Sequence, residues 1–442
     1  MTFAFSHWRL TALVLLLLPQ AASAMTLLEA VDRASKHDAR VPISRAISRG
    51  DAERAALDRA SLLPQLSLNA AVAENDQEIS SVFFGTLQES WMDNRWSVEL
   101  RQAVLRWDMR SRWNRTELRQ ALAITDEQLR IQDFLTRVID RYCRVLETQA
   151  DLAFAQAEVQ ALQREQDTVV DRQSVGLATL TAVRETQARF ALAQANLLLA
   201  EDAKQQAEDA LIELVGLPLP ALQPLPEQLP VLPKPAADLA EFIRRSETSA
   251  LAVRQAQLQL DIARSEVVSA KAEAAPQLDL VGSYRDEDSA DFTLGQEVQA
   301  SRIALELNVP LYAGGGARKA LRAAQADVDS LDSQLELALR QARQEAQNAW
   351  RAVDTQYRRL NALATAQEAA ELALAATEDG LDAGTRTQLD VLEARSARLS
   401  AQRDATLARY AALRALARQE AAAGDLREDD INRFQTLFQP AS

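Results

Sequence analysis

The chain has 442 residues, 49 Lys and Arg against 63 Asp and Glu, and a formal net charge of −14. A balance this acidic, with no clustered Lys and Arg to neutralise phosphates, excludes nucleic acid as a partner. Aromatic residues make up only 5% while Ala, Leu, Gln, Arg and Glu dominate, a mixture that belongs to long helices and coiled coils.

Residues Met1–Ala24 read as a secretory leader: Arg9 lies in a short n-region, the apolar run Leu10–Leu18 follows, and Ala22, Ser23 and Ala24 form a small-residue cleavage site that leaves Met25 first. The apolar run is shorter than the roughly 20 residues that a membrane-spanning helix needs. Losing Arg9 leaves 48 basic against 63 acidic residues, a mature charge of −15. The lone Cys143 sits in a helical pattern and has no partner for an internal disulfide, so it reads as a packed core thiol.

The mature chain then says the same thing twice. A helical stretch, Thr26–Leu62, meets Pro64, Gln65 and Leu66, after which the apolar period changes from helical to two. Leu66, Leu68, Ala70 and Val72 alternate with Ser67, Asn69 and Ala71; Trp96, Val98 and Leu100 alternate with Ser97, Glu99 and Arg101. Strands are predicted at about 64–75 and 94–105, with the polar segment Glu74–Asp93 as an external loop. A proline-free helical region follows over about 110–215, with its helix–helix turn at Gly176. Leu135, Val138, Tyr142, Val145, Leu152 and Val159 lie near heptad positions a and d, interrupted by Gln149 and Gln156.

Leu217–Pro235 holds seven of the thirteen prolines and reads as an extended strap. The second copy runs in the same order: helical residues Ala237–Ala274, then Pro276, Gln277 and Leu278, strands at about 276–286 and 298–310 joined by a loop near Arg285–Gln296, and a helical region over about 317–423 turning at Gly380 and Gly384. Leu389, Leu392, Leu399, Tyr410 and Leu413 keep a helical spacing after that turn. The predicted organisation is a leader (1–24), a first repeat (25–215), a linker (216–236), a second repeat (237–424) and a tail (425–442).

Four strands with one apolar and one polar face suit a barrel with lipid outside and water inside, or two amphipathic hairpins packed on a soluble core. No uninterrupted apolar segment of membrane length remains after the leader, so any crossing of a membrane is by β-strands in a closed barrel. A pair of helical arms near 60 residues long, about 90 Å, has too little apolar surface to stand alone in water, so other copies pack beside it. Enzyme readings do poorly: past the leader there is a single His37 and a single Cys143, and Gly314–Gly316 lacks the Lys and Ser/Thr of a phosphate loop.

Gly384, Thr385, Arg386 and Thr387, followed by Leu389, Asp390, Val391, Leu392, Glu393 and Ala394, have a weaker counterpart about 208 positions earlier in Val175, Gly176, Leu177, Ala178 and Thr181. Val309, Pro310, Leu311 and Tyr312 with the following glycines, and a degenerate version at Val104–Asp108, mark the exits from strand to helix. In this order and context the chain resembles the TolC-type outer-membrane efflux proteins over essentially its whole mature length. The resemblance implies a mostly α fold with a β-barrel part: a homotrimer whose twelve-stranded barrel sits in outer-membrane lipid and continues as a helical tunnel through the periplasm.

It also implies an exit duct of a tripartite efflux or type I secretion system, without cofactor, working with a periplasmic adaptor (a membrane fusion protein) and an inner-membrane pump of RND, ABC or MFS type. By matching position, Arg386 becomes a gate-tethering cation, with Thr181 or backbone left for it to bond to, and Asp390 and Glu393 become acidic rings at the periplasmic mouth. The turns at Gly176, Gly380, Gly384 and Thr385 become the adaptor-docking surface. Two departures stand out: Ala182 replaces an inner-coil Asp, and Leu381 replaces an aromatic, so the tether is thinner than in the family. On residue chemistry alone, Asp390 and Glu393 also fit a solvated helix face and Arg386 a helix N-terminal turn. A secreted periplasmic coiled-coil scaffold without a pore is the reading from the other class.

Overall fold

A computed structural model describes residues 24–83, 85–226, 238–289 and 296–438. The leader up to residue 23, much of the proline strap and the middle of the 285–296 connection lie outside these residues. The described elements are α1 (Leu27–His37), α2 (Arg40–Ala60), β1 (Gln65–Ser81), β2 (Gly85–Leu105), α3 (Met109–Ser174), α4 (Leu180–Val215), α5 (Leu239–Ser249), α6 (Leu251–Ala272), β3 (Gln277–Ser289), β4 (Gln296–Asn308), α7 (Gly316–Asp382), α8 (Gln388–Ala422) and α9 (Asp430–Thr436).

Each half is therefore two short helices, a strand pair, one very long helix and one of half its length. At 1.5 Å per residue the 66 residues of α3 and 67 of α7 extend about 100 Å each. The shorter α4 and α8 cover only the far part of these rods; α2 packs along α3, and α6 along both α3 and α7, at the end nearer the sheet. The helical stretches 26–62 and 237–274, predicted as continuous, are each broken. Asp38 and Ala250 leave the helical region, at ψ 113° and ψ 128°, and each break turns a following helix onto a long rod. The tail contains α9, which packs on α1.

Prolines end the second helix of each half. The residue before a proline avoids the helical region, so α2 and α6 stop shortly ahead of Pro64 and Pro276 and the chain enters β1 and β3 extended. The strands form one antiparallel sheet in the order β1-β2-β3-β4, leaving the outer edges of β1 and β4 unpaired among the described residues. Its register places Leu66 opposite Leu100, Leu68 opposite Val98, Val98 opposite Tyr284 and Leu280 opposite Leu305, so the alternation read from sequence falls on one face. Leu66, Leu68, Val72 and Ile303 on that face are 72%, 68%, 70% and 85% exposed. An apolar sheet face this open is a surface built for contact with something other than water.

The segment Glu74–Asp93, expected as a loop, is instead mostly a paired ladder that continues from Glu74 opposite Met92 to Ser81 opposite Gly85. Backbone pairing does not depend on the side-chain pattern. What stops at Val72 is the apolar parity, since Glu74, Asp76 and Glu78 occupy the same face farther out. Beyond Asp93 the β1–β2 hairpin also has no partner in β3, whose pairing with β2 ends at Asp93 opposite Ser289, so its outer part continues past the last described pair of β3 and β4, Ser289 opposite Gln296. The predicted β3–β4 loop is likewise strand up to Ser289, and 290–295 fall outside the described residues.

The main core lies midway along the rods. Leu135, Val138, Tyr142 and Val145 of the predicted seam are fully buried there against α1, α8 and α9. Tyr142 ties the chain's distant parts together: its hydroxyl donates to the carbonyl oxygen of Met25 at 2.8 Å and accepts from the Gln223 amide at 3.1 Å, and its ring meets Phe438 edge-on. Met25 pairs with the strap at Leu222. Cys143 is buried beside Tyr142, where burial pushes its thiol pKa far up, an inert packed thiol. Farther toward the sheet, buried Arg115 donates to Asp58 at 3.0 Å and Ser269 at 3.2 Å, stitching α2, α3 and α6 together.

Candidate functional site at the helical tips

The two ends opposite the sheet are tight turns of the same kind. α3 ends with Gly176 at φ 77°; its N–H donates to the Gln173 carbonyl at 3.0 Å and the Leu177 N–H to the Arg172 carbonyl at 2.8 Å. α7 ends with Gly384 at φ 72°, whose N–H donates to Leu381 at 3.0 Å while Thr385 N–H donates to Gly380 at 2.8 Å. Both are Schellman closures, in which a left-handed residue lets two N–H groups reach back over the last helical turn, and glycine takes that conformation without a Cβ clash. Gly176 and Gly384 are 208 positions apart, the repeat offset itself.

Gly380 is not in the turn, where the sequence placed it, but in the last turn of α7. Its carbonyl oxygen accepts from the N–H groups of Thr385 and Arg386 and, at 3.0 Å, from the Thr385 hydroxyl. A Cβ on Gly380 would sit 2.7 Å from Arg386 Cγ, so the missing side chain is what lets the stem of Arg386 lie across the helix end. The guanidinium of Arg386 extends into solvent with no ion pair among the described residues, and no hydrogen bond joins it to Thr181, which is exposed on the first turn of α4.

The helices that leave the turns start with the same cap residue. Thr179 accepts from the Ala182 N–H at 3.2 Å, and Thr387 accepts from the Asp390 N–H at 3.2 Å. Only the second start is a full capping box: Asp390 Oδ2 accepts from Thr387 N–H at 2.7 Å and from its hydroxyl at 2.9 Å. The Thr387 backbone hydrogen bond, then the hydroxyl, then the Arg386 charge hold the Asp390 carboxyl below its ordinary value. Ala182, at the matching position, has no carboxylate to return the bond.

Glu393 lies one turn on, exposed at the edge of an open groove beside the first hairpin. With Glu158, Leu162, Arg189, Leu192 and Leu399 it lines a cavity of about 350 Å³ between α3, α4 and α8. The structure thus brings Glu393 toward the first hairpin, gives Asp390 to the cap of its own helix, and leaves Arg386 and Thr181 apart. Two ion pairs escaped the sequence reading: Arg395–Glu378 at 2.8 Å and Arg398–Glu371 at 4.0 Å, both crossing from α8 to α7. Glu371 and Arg398 stand 13 and 14 positions from Gly384, and that near-mirror spacing of opposite charges was the available signal.

Deeper in the rods, Glu147 is buried against Arg414 at 2.6 Å with Arg144 at 3.5 Å, and burial raises its carboxyl above the ordinary value despite both cations. Among the described residues no group of His, Cys, Asp and Glu is arranged to hold a metal ion, and no helix is long and apolar enough to cross a membrane.

The chain matches the family model described as outer membrane efflux protein over residues 46–217 and 243–425. It is 31% identical to the alkaline protease secretion protein AprF of Pseudomonas aeruginosa, covering 96% of this chain and 89% of that one. Against the outer membrane protein TolC of Vibrio cholerae it is 28% identical over 94% of each, and against the proteases secretion protein PrtF of Dickeya chrysanthemi 27% over 98% and 95%. Among solved structures it superposes on the CmeC outer membrane channel of Campylobacter jejuni with a TM-score of 0.78 at 15% identity, covering 94% of this chain and 90% of that one. The VceC outer membrane protein of Vibrio cholerae gives 0.73 at 20% identity over 90% and 96%. Family match, relatives and fold agree: the chain belongs to the TolC-type outer membrane efflux protein family, outer-membrane proteins whose helices extend into the periplasm.

Proposed function

We propose that this chain is the passive exit duct of a tripartite export machine, conducting substrates from a periplasmic adaptor and an inner-membrane pump to the exterior. One observation carries the reading: a single sheet with an exposed apolar face, an opposite polar face and two unpaired outer edges stands at the end of two helical hairpins about 100 Å long. The edge of β4 in one copy pairs with β1 of the next, and three copies close a twelve-stranded barrel. A pore-free periplasmic scaffold has no use for such a sheet. The test is the mass of the purified mature protein in detergent, together with outer-membrane fractionation and heat-modified migration. Three chains per particle in the outer-membrane fraction are expected; a soluble monomer overturns the reading.

At the other end, Arg386, Asp390, Glu393 and Thr181 form the periplasmic constriction. In three copies Asp390 and Glu393 present rings of carboxylates that favour cations and repel one another. Arg386, solvent-facing within one chain, tethers the tip to a neighbouring copy. Arg386→Ala is expected to raise pore conductance and change drug sensitivity; no change in either removes Arg386 from the gate. The grooves beside Gly176, Gly380, Gly384 and Thr385 receive the helical hairpin of the adaptor, a helix-in-groove contact. The pump, of RND, ABC or MFS type, selects the cargo, and the machine serves efflux or type I secretion.

A further inference from the structure

We propose that Arg101 sets the charge of the polar face of the sheet and makes the barrel part of the duct close to neutral, so that it is a selectivity-determining residue remote from the helical tips. The proposal rests on the reading of that face as a lumen wall. Arg101 lies near the helical end of β2, and its guanidinium sits among carboxylates from three strands: Glu99 at 3.0 Å on β2, Asp279 at 3.6 Å on β3 and Glu306 at 3.6 Å on β4. The pairing register puts all four on the face opposite Leu66, Leu100, Leu280 and Leu305.

Two further cations complete the group. Arg106 donates to Asp279 at 3.2 Å, and Arg302 stands 3.9 Å from Glu306. Three arginines therefore face three carboxylates, a net charge of zero, in a molecule whose overall charge is strongly negative. Arg101 is the only one of the three that meets all the carboxylates. Arg101 and Glu306 remain 44% and 40% exposed at their side chains, so their charges are felt by ions passing the wall, and Asp279, 13% exposed, is held between Arg101 and Arg106. Removing the Arg101 charge leaves one uncompensated negative charge per copy at the junction of sheet and helices, repeated around the axis. Within a Debye length, such a ring raises cation over anion occupancy.

The experiment is the reversal potential of single pores in a planar bilayer under a KCl gradient, for the wild type, Arg101→Gln, Arg101→Lys and Glu306→Gln. Arg101→Gln is expected to increase the ratio of cation to anion permeability about twofold or more at 0.1 M salt, with the change shrinking at 1 M. Arg101→Lys keeps the charge and the wild-type ratio, and Glu306→Gln lowers the ratio. A conducting Arg101→Gln pore with an unchanged reversal potential overturns the proposal. If Arg101→Gln does not insert, an unchanged Glu306→Gln pore overturns it equally. A wild type that never conducts removes the duct reading instead.

Discussion

The two helical tips share a turn and differ in how firmly it is held. Gly176 and Gly384 close their helices by the same pair of back-reaching hydrogen bonds, and Thr179 and Thr387 cap the next helix in the same way. The second tip adds a carboxylate that completes the capping box, a glycine that seats the Arg386 stem and ion pairs between its two helices. The first has Ala182 where the second has Asp390, and among the described residues no ion pair links its helices near the turn. One hairpin is braced at its tip and the other is lightly tied. The difference makes the first tip the less firmly held of the two.

The largest expected effect tests what the tips share. Gly384→Val and Gly176→Val each force a β-branched residue into the left-handed region, costing about 1–2 kcal/mol locally. Hydrogen exchange of the flanking turn amides should accelerate to a similar degree in both; a response at only one tip would show that the closures are not equivalent. Next comes the cap. Asp390→Ala should speed exchange at the start of α8 about fivefold, while Ala182→Asp should slow it at the start of α4 by a comparable factor, making the tips alike.

Acid sharpens the comparison. Because the folded carboxyl of Asp390 titrates below its ordinary value near 3.8, its contribution is fully present above that value and is lost as pH falls through the lower folded value. Protection of the α8 start should therefore decline below about pH 3.8 in the wild type, and Asp390→Asn should lack that step. The smallest effect belongs to the half-exposed pair Arg395–Glu378: Glu378→Gln should cost about 0.5 kcal/mol at low salt and nothing measurable at high salt.

Much of this architecture is legible in the chain because its periods are strong. Leu66 to Val72 and Ile303 to Leu307 announce strands by alternation, Pro64 and Pro276 mark where helices stop, and long proline-free stretches leave room only for rods. What escapes is set by partners rather than by local pattern. The ladder beyond Val72 is invisible to an apolar count because backbone groups, not side chains, hold it. The breaks at Asp38 and Ala250 answer to packing on α3 and α7. At the tips, the glycines and the Thr-Arg-Thr run are readable, but that Asp390 serves its own helix cap and that Glu393 faces α3 and α4 depends on side-chain direction. Tyr142 was visible as a seam residue; its bonds to Met25 and Gln223, 117 and 81 positions away, were not.

The proposed duct requires that the polar face of the sheet and the helical rods together enclose a water-filled path. Single-channel recording of the purified mature protein in a planar bilayer tests it most directly. A duct of this kind gives stable, cation-selective pores from particles of three chains. Protein that stays monomeric and never inserts would contradict it.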